Sequence, residues 1–272
     1  MLASRTALMV AAYRGRATAE GQLIDDPWAM ALAGEDGAEY ADRCDEAYPW
    51  MQLWIALRTV FIDQLVTRRD PDQLVLLGAG LDTRAARLAR PSRRVFEVDQ
   101  PASGATKQAR LAELDGYPID AATYVSCDFE RQDFLDQLVG AGFEPQRPAL
   151  FIWEGVTPYL TEGAIRATLT RVASCHPEST LTFDYVSARM GLDRGLRDND
   201  RGARDLVQDL GEPILFGTDD NLPMLSECGF RWVRNVRFDE LALGWDGSYE
   251  RSRGMRFQSM CVASVASPVQ VG

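Results

Sequence analysis

The chain has 272 residues, 46% of them hydrophobic, and a formal net charge of −11 at pH 7. That length suffices for one large α/β core, and the acidic balance argues against a nucleic-acid groove. Lys107 is the only lysine and His176 the only histidine, which excludes a histidine-rich metal site and leaves little room for lysine Schiff-base chemistry.

Residues 1–67 read as helical, with turn breaks at Asp25-Asp26-Pro27, Gly34–Gly37 and Tyr48-Pro49. The opening LASRTALMVAAYRGR lacks a long apolar core and a cleavage site, and no run approaches the roughly 18 apolar residues of a spanning helix. The segment from Trp50 to Val66 has helical spacing at Trp50, Trp54, Leu57, Phe61 and Leu65. Arg58 lies inside this apolar helix, as a snorkelling edge residue or as a cation held to meet a carboxylate.

From residue 73 onward strands and helices alternate. Strands are predicted at 73–78, 93–98, 122–126, 148–153 and 179–186, and helices at 82–90, 103–115, 131–139 and 161–174. This alternation predicts a parallel sheet covered on both faces. Between 187 and 218 the pattern breaks into a charged insertion holding Arg189, Arg194, Arg197, Arg201 and Arg204. It reads as a solvated helical insertion or as a lid whose arginines meet an anionic substrate. Strands near 230–238 and 255–265 then close the chain as an antiparallel hairpin. The whole reads as one domain: a helical cap (1–67), a cofactor-binding core (68–186), the lid insertion (187–218) and C-terminal core strands (219–272).

The strongest local signal is LVLLGAGLDTR at 74–84 followed by RRVFEVDQP at 93–101. Strand, glycine turn, helix, strand and acid together form the outline of a nucleoside site. The third glycine of a dinucleotide fingerprint is missing. Asp82 stands where the helix opens, as an N-cap that would repel a pyrophosphate. A cofactor without phosphates fits better, and S-adenosyl-L-methionine is the obvious one; a tight turn with no ligand is the alternative. Asp99, Asp128, Glu154 and Asp184 fall at or just beyond strand ends, and the first three can surround a common ligand. Asp128 can accept from an exocyclic amino group, and Phe129 in CDFE can cover an adenine face. In ALFIWEGVTPYL, Glu154 leaves an apolar strand where an ammonium could be met. Trp153 and Tyr159 are candidates for the wall of a methyl-transfer pocket.

Taken together, GAGLDTR, FEVDQP, CDFE and WEGVTPYL resemble the leucine carboxyl methyltransferase family, including its bacterial polyketide O-methyltransferases. RTALMVAAYRGRA, DDPWAMALAG and GEPILFG extend the likeness over nearly the whole chain. The resemblance implies a class I methyltransferase fold, Rossmann-like, with a seven-stranded, mostly parallel sheet and S-adenosyl-L-methionine as methyl donor. It implies that Arg58 meets the cofactor carboxylate, with Arg16 as a second basic residue there. It implies that Gly78 and Glu154 take the ammonium, that Asp99 bonds the ribose beside the Gly78–Gly80 turn, and that Asp128 and Phe129 hold the adenine.

A methyl acceptor must be electron-rich. A carboxylic acid ionises near 4 and needs no base, whereas a phenol near 10 does. His176, before the fifth predicted strand, belongs at the opposite end of the sheet from the site. The expected acceptor is therefore a small anionic molecule methylated on a carboxylate, with an acidic phenol next and a protein C-terminal carboxylate as a further option. A nicotinamide-dependent oxidoreductase is the reading from another class. The five scattered cysteines lack a CxxC pair and read as free thiols of a cytoplasmic protein. No nucleic acid, membrane or metal partner is expected.

Overall fold

The computed structural model describes residues 4–21, 23–192, 196, 198–246 and 256–268. Three helices come first: α1 (Arg5–Ala19), α2 (Ala29–Ala47) and α3 (Met51–Arg69). Ser4 caps α1 by accepting from the Ala7 amide. The break expected at 34–37 is a kink inside α2, where Gly34 has φ 64°, a conformation that a side chain disfavours.

Five parallel strands follow: β1 (Gln73–Leu77), β2 (Arg94–Asp99), β3 (Thr123–Ser126), β4 (Leu150–Trp153) and β5 (Thr180–Val186). Between them lie α4 (Arg84–Arg87), α5 (Pro101–Ala112), α6 (Phe134–Gly140) and α7 (Glu162–Ala173). The chain then runs through α8 (Ala188–Leu192), α9 (Asp198–Asp209), α10 (Leu222–Glu227), β6 (Trp232–Arg237), α11 (Phe238–Asp246) and β7 (Gln258–Ser264). The sheet is seven-stranded, in the order β3-β2-β1-β4-β5-β7-β6, with β7 antiparallel to both neighbours. The expected mostly parallel sheet and closing hairpin are both present.

Two local expectations change. The helix predicted at 82–90 is a single turn whose N-cap position is Thr83, one residue after Asp82, and the Thr83 side chain makes no capping bond. Asp82 instead accepts from the Arg84 amide at 2.6 Å, which draws its carboxylate into the turn. The polar stretch between the last two strands contains α11, whose Phe238 and Ala242 are buried.

Side-chain alternation divides the core. Leu74, Leu76, Leu150, Ile152, Met260 and Val262 face α1, α3, α9 and α11. Val75, Leu77, Phe151, Trp153, Leu181 and Phe183 face α6, α7 and α10. The chain order reverses direction between β1 and β4, and their carboxyl ends flank the crevice where open α/β sheets take ligands. Among the described residues no helix is long and apolar enough to cross a membrane, and all five cysteines are buried and unpaired.

Candidate active site

A cavity of about 620 Å³ lies over the carboxyl ends of the strands, within the usual range for a small-molecule site. Its floor is made by Gly78–Asp82 after β1, Asp99 at the end of β2, Asp128 and Phe129 after β3, Glu154, Gly155, Val156, Pro158 and Tyr159 after β4, and Asp184 in β5. Its roof comes from α1 (Met9, Val10, Arg14), α3 (Met51, Trp54, Ile55, Arg58) and α9 (Ala203, Val207).

The glycine turn is tightly built. Gly78 has φ 69°, and a Cβ there would collide with Val156 Cγ2. The backbone after β1 can therefore approach the β4 loop only without a side chain. Asp99 Oδ2 accepts from the Gly80 amide at 2.6 Å, and Oδ1 accepts from the Gln100 amide at 2.7 Å. Burial still pushes the Asp99 carboxyl above its ordinary value despite these two bonds. Asp128 Oδ1 accepts from Glu130 N at 3.0 Å, and Phe129 packs on Phe134 with centroids 6.2 Å apart.

Glu154 and Arg58 form the charged centre. Arg58 Nε lies 2.9 Å from Glu154 Oε1, and Nη1 donates to Asp184 Oδ2 at 2.7 Å. Asp184 Oδ1 also accepts from the Gly155 amide at 2.6 Å. Arg58 is 5% exposed and lines the cavity, so its sequence position inside an apolar helix marks a cation aimed inward. Arg84 reaches Glu154 from the other side, with Nη1 donating to Oε2 at 2.5 Å. These cations hold the Glu154 carboxyl below its usual range against the upward push of burial.

Two expected site residues lie elsewhere. Arg16 is not at the cavity; it pairs with Asp45 at 2.9 Å and Asp42 at 2.6 Å on α2. Arg14 lines the cavity instead, donating to Asp26 Oδ2 at 3.0 Å and to the Leu81 carbonyl at 2.6 Å. Two residues along an α-helix turn the side chain by about 200°, so only one of the two arginines can face the sheet. Trp153 is fully buried on the opposite face of β4, 6.4 Å from the Phe183 ring, and Ile152 takes the cavity side. Tyr159 does line the cavity, and burial together with Glu212 and Asp184 pushes its phenol far up, so it stays protonated.

The described lid arginines do not line the cavity. Arg189 is paired with Asp200 at 2.7 Å, Arg201 is exposed, and neither they nor Arg204 line the cavity. Arg194 and Arg197 fall outside the described residues. What α9 presents to the interior is Ala203, Leu206 and Val207, followed by Leu210 just past its end, all buried. Their helical spacing was visible in the sequence beneath the charges. His176 sits before β5, at the far end of the sheet, where its amide donates to the Pro145 carbonyl. Sequence reasoning missed Arg14, Arg84, Asp63 and Glu212. Among the described residues no group of His, Cys, Asp or Glu is arranged to hold a metal ion.

The chain is similar to known proteins along most of its length. A protein of Mycolicibacterium vanbaalenii is 33% identical over 262 residues, covering 89% of this chain and 82% of its own. One of Mycolicibacterium smegmatis is 37% identical over 202 residues, covering 68% and 67%. Both carry the name "Putative S-adenosyl-L-methionine-dependent methyltransferase". In fold, the chain is similar to a solved DUF574-family protein of Streptomyces avermitilis, with a TM-score of 0.64 at 15% identity over 96% of this chain and 97% of that one. Residues 7–173, which carry the glycine turn, Asp99, Asp128, Glu154 and the roof residues of α1 and α3, match the family described as leucine carboxyl methyltransferase, and the chain belongs to that family.

Proposed function

We propose that the chain is an S-adenosyl-L-methionine-dependent O-methyltransferase whose acceptor is a carboxylate on an apolar small molecule. The observation that carries this reading is the row Asp128, Asp99, Glu154 at the carboxyl ends of β3, β2 and β4, with Arg58 beside Glu154, in one cavity. From β3 to β4 is three strand spacings, about 14 Å, the reach of an extended nucleoside with an amino-acid arm. The donor set also matches in kind. Carboxylates suit hydroxyls and an exocyclic amine, and a carboxylate beside a guanidinium suits a zwitterion.

When bound, the cofactor supplies a methyl group on a sulfonium, open to in-line displacement. Asp99 accepts from ribose hydroxyls with the lone pairs left by its two amide bonds. Asp128 and Phe129 hold the adenine edge and face. Glu154 accepts from the ammonium, and Arg58 Nη2, which has no hydrogen bond among the described residues, meets the carboxylate. Met9, Met51, Trp54, Val207 and Ile214 wall the remainder of the cavity and exclude water.

Among the described lining residues there is no histidine or lysine, and the one tyrosine is held protonated. A nucleophile that arrives already ionised fits such a site. A phenol acceptor is the second reading, favoured by Glu212. This carboxylate lines the cavity near Tyr159, with Ser4 Oγ as its partner, and is free to receive a hydroxyl proton. Calorimetric titration with S-adenosyl-L-methionine, with NADH in parallel, tests the cofactor; heat with NADH alone would overturn the methyltransferase reading. Matched carboxylic acids and phenols then test the acceptor. Turnover of acids with a flat pH–rate profile supports the carboxylate, and preference for phenols with rates rising through about pH 8–9 favours the second reading.

A further inference from the structure

Arg84 is among the most buried charges beside the cavity, at 1% exposure, and it does not line it. Its Nε donates to Asp63 Oδ1 at 2.6 Å, and its Nη1 donates to Glu154 Oε2 at 2.5 Å and also meets Asp82. Asp63 is held again by Arg87 at 2.6 Å. One guanidinium thus joins an acid from α3, an acid from the turn after β1, and the β4 acid that faces the cavity. A planar fork can do this, whereas a point charge cannot.

The arrangement has a cost that needs a reason. Burying Glu154 opposes its charge, and a carboxyl that took up a proton could no longer attract an ammonium. The charged groups around Glu154 are Arg58 from α3, Arg84 from α4, Asp82 from the turn and Arg14 from α1, with Asp184 of β5 reaching it through Arg58. Arg58 is shared with Asp184 and faces the cavity, while Arg14 is spent on Asp26 and the Leu81 carbonyl. Arg84 is the cation that holds Glu154 from behind the lining without itself facing the cavity.

We propose that Arg84 is the positioning residue for the amino-acid end of the cofactor, fixing the orientation of Glu154 from behind the cavity wall. The proposal rests on the reading of the cavity as an S-adenosyl-L-methionine site. S-adenosylhomocysteine carries the amino-acid end and 5′-methylthioadenosine lacks it, so the two separate this role from general support of the fold. Both are titrated calorimetrically into the full chain between about pH 5 and 8, in wild type, Arg84→Gln and Arg84→Lys. Arg84→Gln should weaken S-adenosylhomocysteine about tenfold near neutrality, and further as pH falls and Glu154 gains a proton. 5′-Methylthioadenosine should stay within about twofold. Arg84→Lys should fall between, and it decides the matter if the glutamine variant does not fold. In a Glu154→Gln background, Arg84→Lys should leave the ratio of the two affinities unchanged, a coupling that scaffolding alone would not produce. Equal losses for both ligands, or a loss for S-adenosylhomocysteine that persists in the Glu154→Gln background, would overturn the positioning role. A wild-type chain that binds neither ligand would sink the cofactor reading itself, and the role of Arg84 with it.

Discussion

Asp99 shows how a single side chain can serve the fold and a ligand together. Its two oxygens already hold the Gly80 and Gln100 amides, so the acid shapes the glycine turn before any ribose arrives. Asp99→Asn keeps an acceptor for one amide and turns a donor toward the other. Its expected effect is a loss of about 1–3 kcal/mol in cofactor binding, read by calorimetry; unchanged affinity would remove Asp99 from the ribose. Glu97 lies behind it, fully buried on Lys107 at 2.6 Å. Burial raises its carboxyl from 4.5 to about 7, against the downward pull of Lys107. Between those values the folded chain holds a proton that the unfolded chain has released, so this contribution to stability is lost as pH rises through that window. Glu97→Gln, which cannot titrate, should flatten the change in Tm between about pH 5 and pH 8. An unaltered slope would show that Glu97 is not its source.

At the scale of elements, α9 forms one apolar wall of the cavity, which the proposed function gives to the acceptor. Val207, 8% exposed, lines the cavity beside Ala203. Val207→Asp introduces a carboxylate into that apolar wall and should raise KM for the acceptor at least about tenfold. Affinity for S-adenosylhomocysteine should stay unchanged; a parallel loss of both would mean that α9 supports the cofactor as well. The sequence makes such elements legible to different degrees. Strand β1 and its glycine turn are plain because an apolar run ends in residues only a turn requires. The face of Trp153 is not, because β4 is apolar at every position and buried on both sides, so alternation leaves no trace. Arg14 and Arg16 are both basic residues of α1, and only the packing of α1 against the sheet decides which one turns inward. Arg84 reads as an ordinary charge of a short helix, because its acids come from three separate parts of the chain.

At the scale of the whole molecule, the sheet is bound together by a strand from its end. β7 lies between β5 and β6, pairing Thr180–Val186 on one side and Trp232–Arg237 on the other. A chain stopped at residue 256 should fail to fold, with no cooperative thermal transition and recovery in the insoluble fraction; a folded, cofactor-binding product would contradict this view of the sheet. The same placement has a bearing on biosynthesis. Until β7 has been made, β5 has one edge without a partner, and that edge belongs to a strand buried at all seven positions in the folded protein. Phe257 and Gln258, which line the cavity, do not yet exist. The nascent polypeptide therefore passes through a stage with a sticky β edge and no completed pocket. A chaperone able to cover an exposed strand is the help it would need until β7 has emerged and can pair with β5.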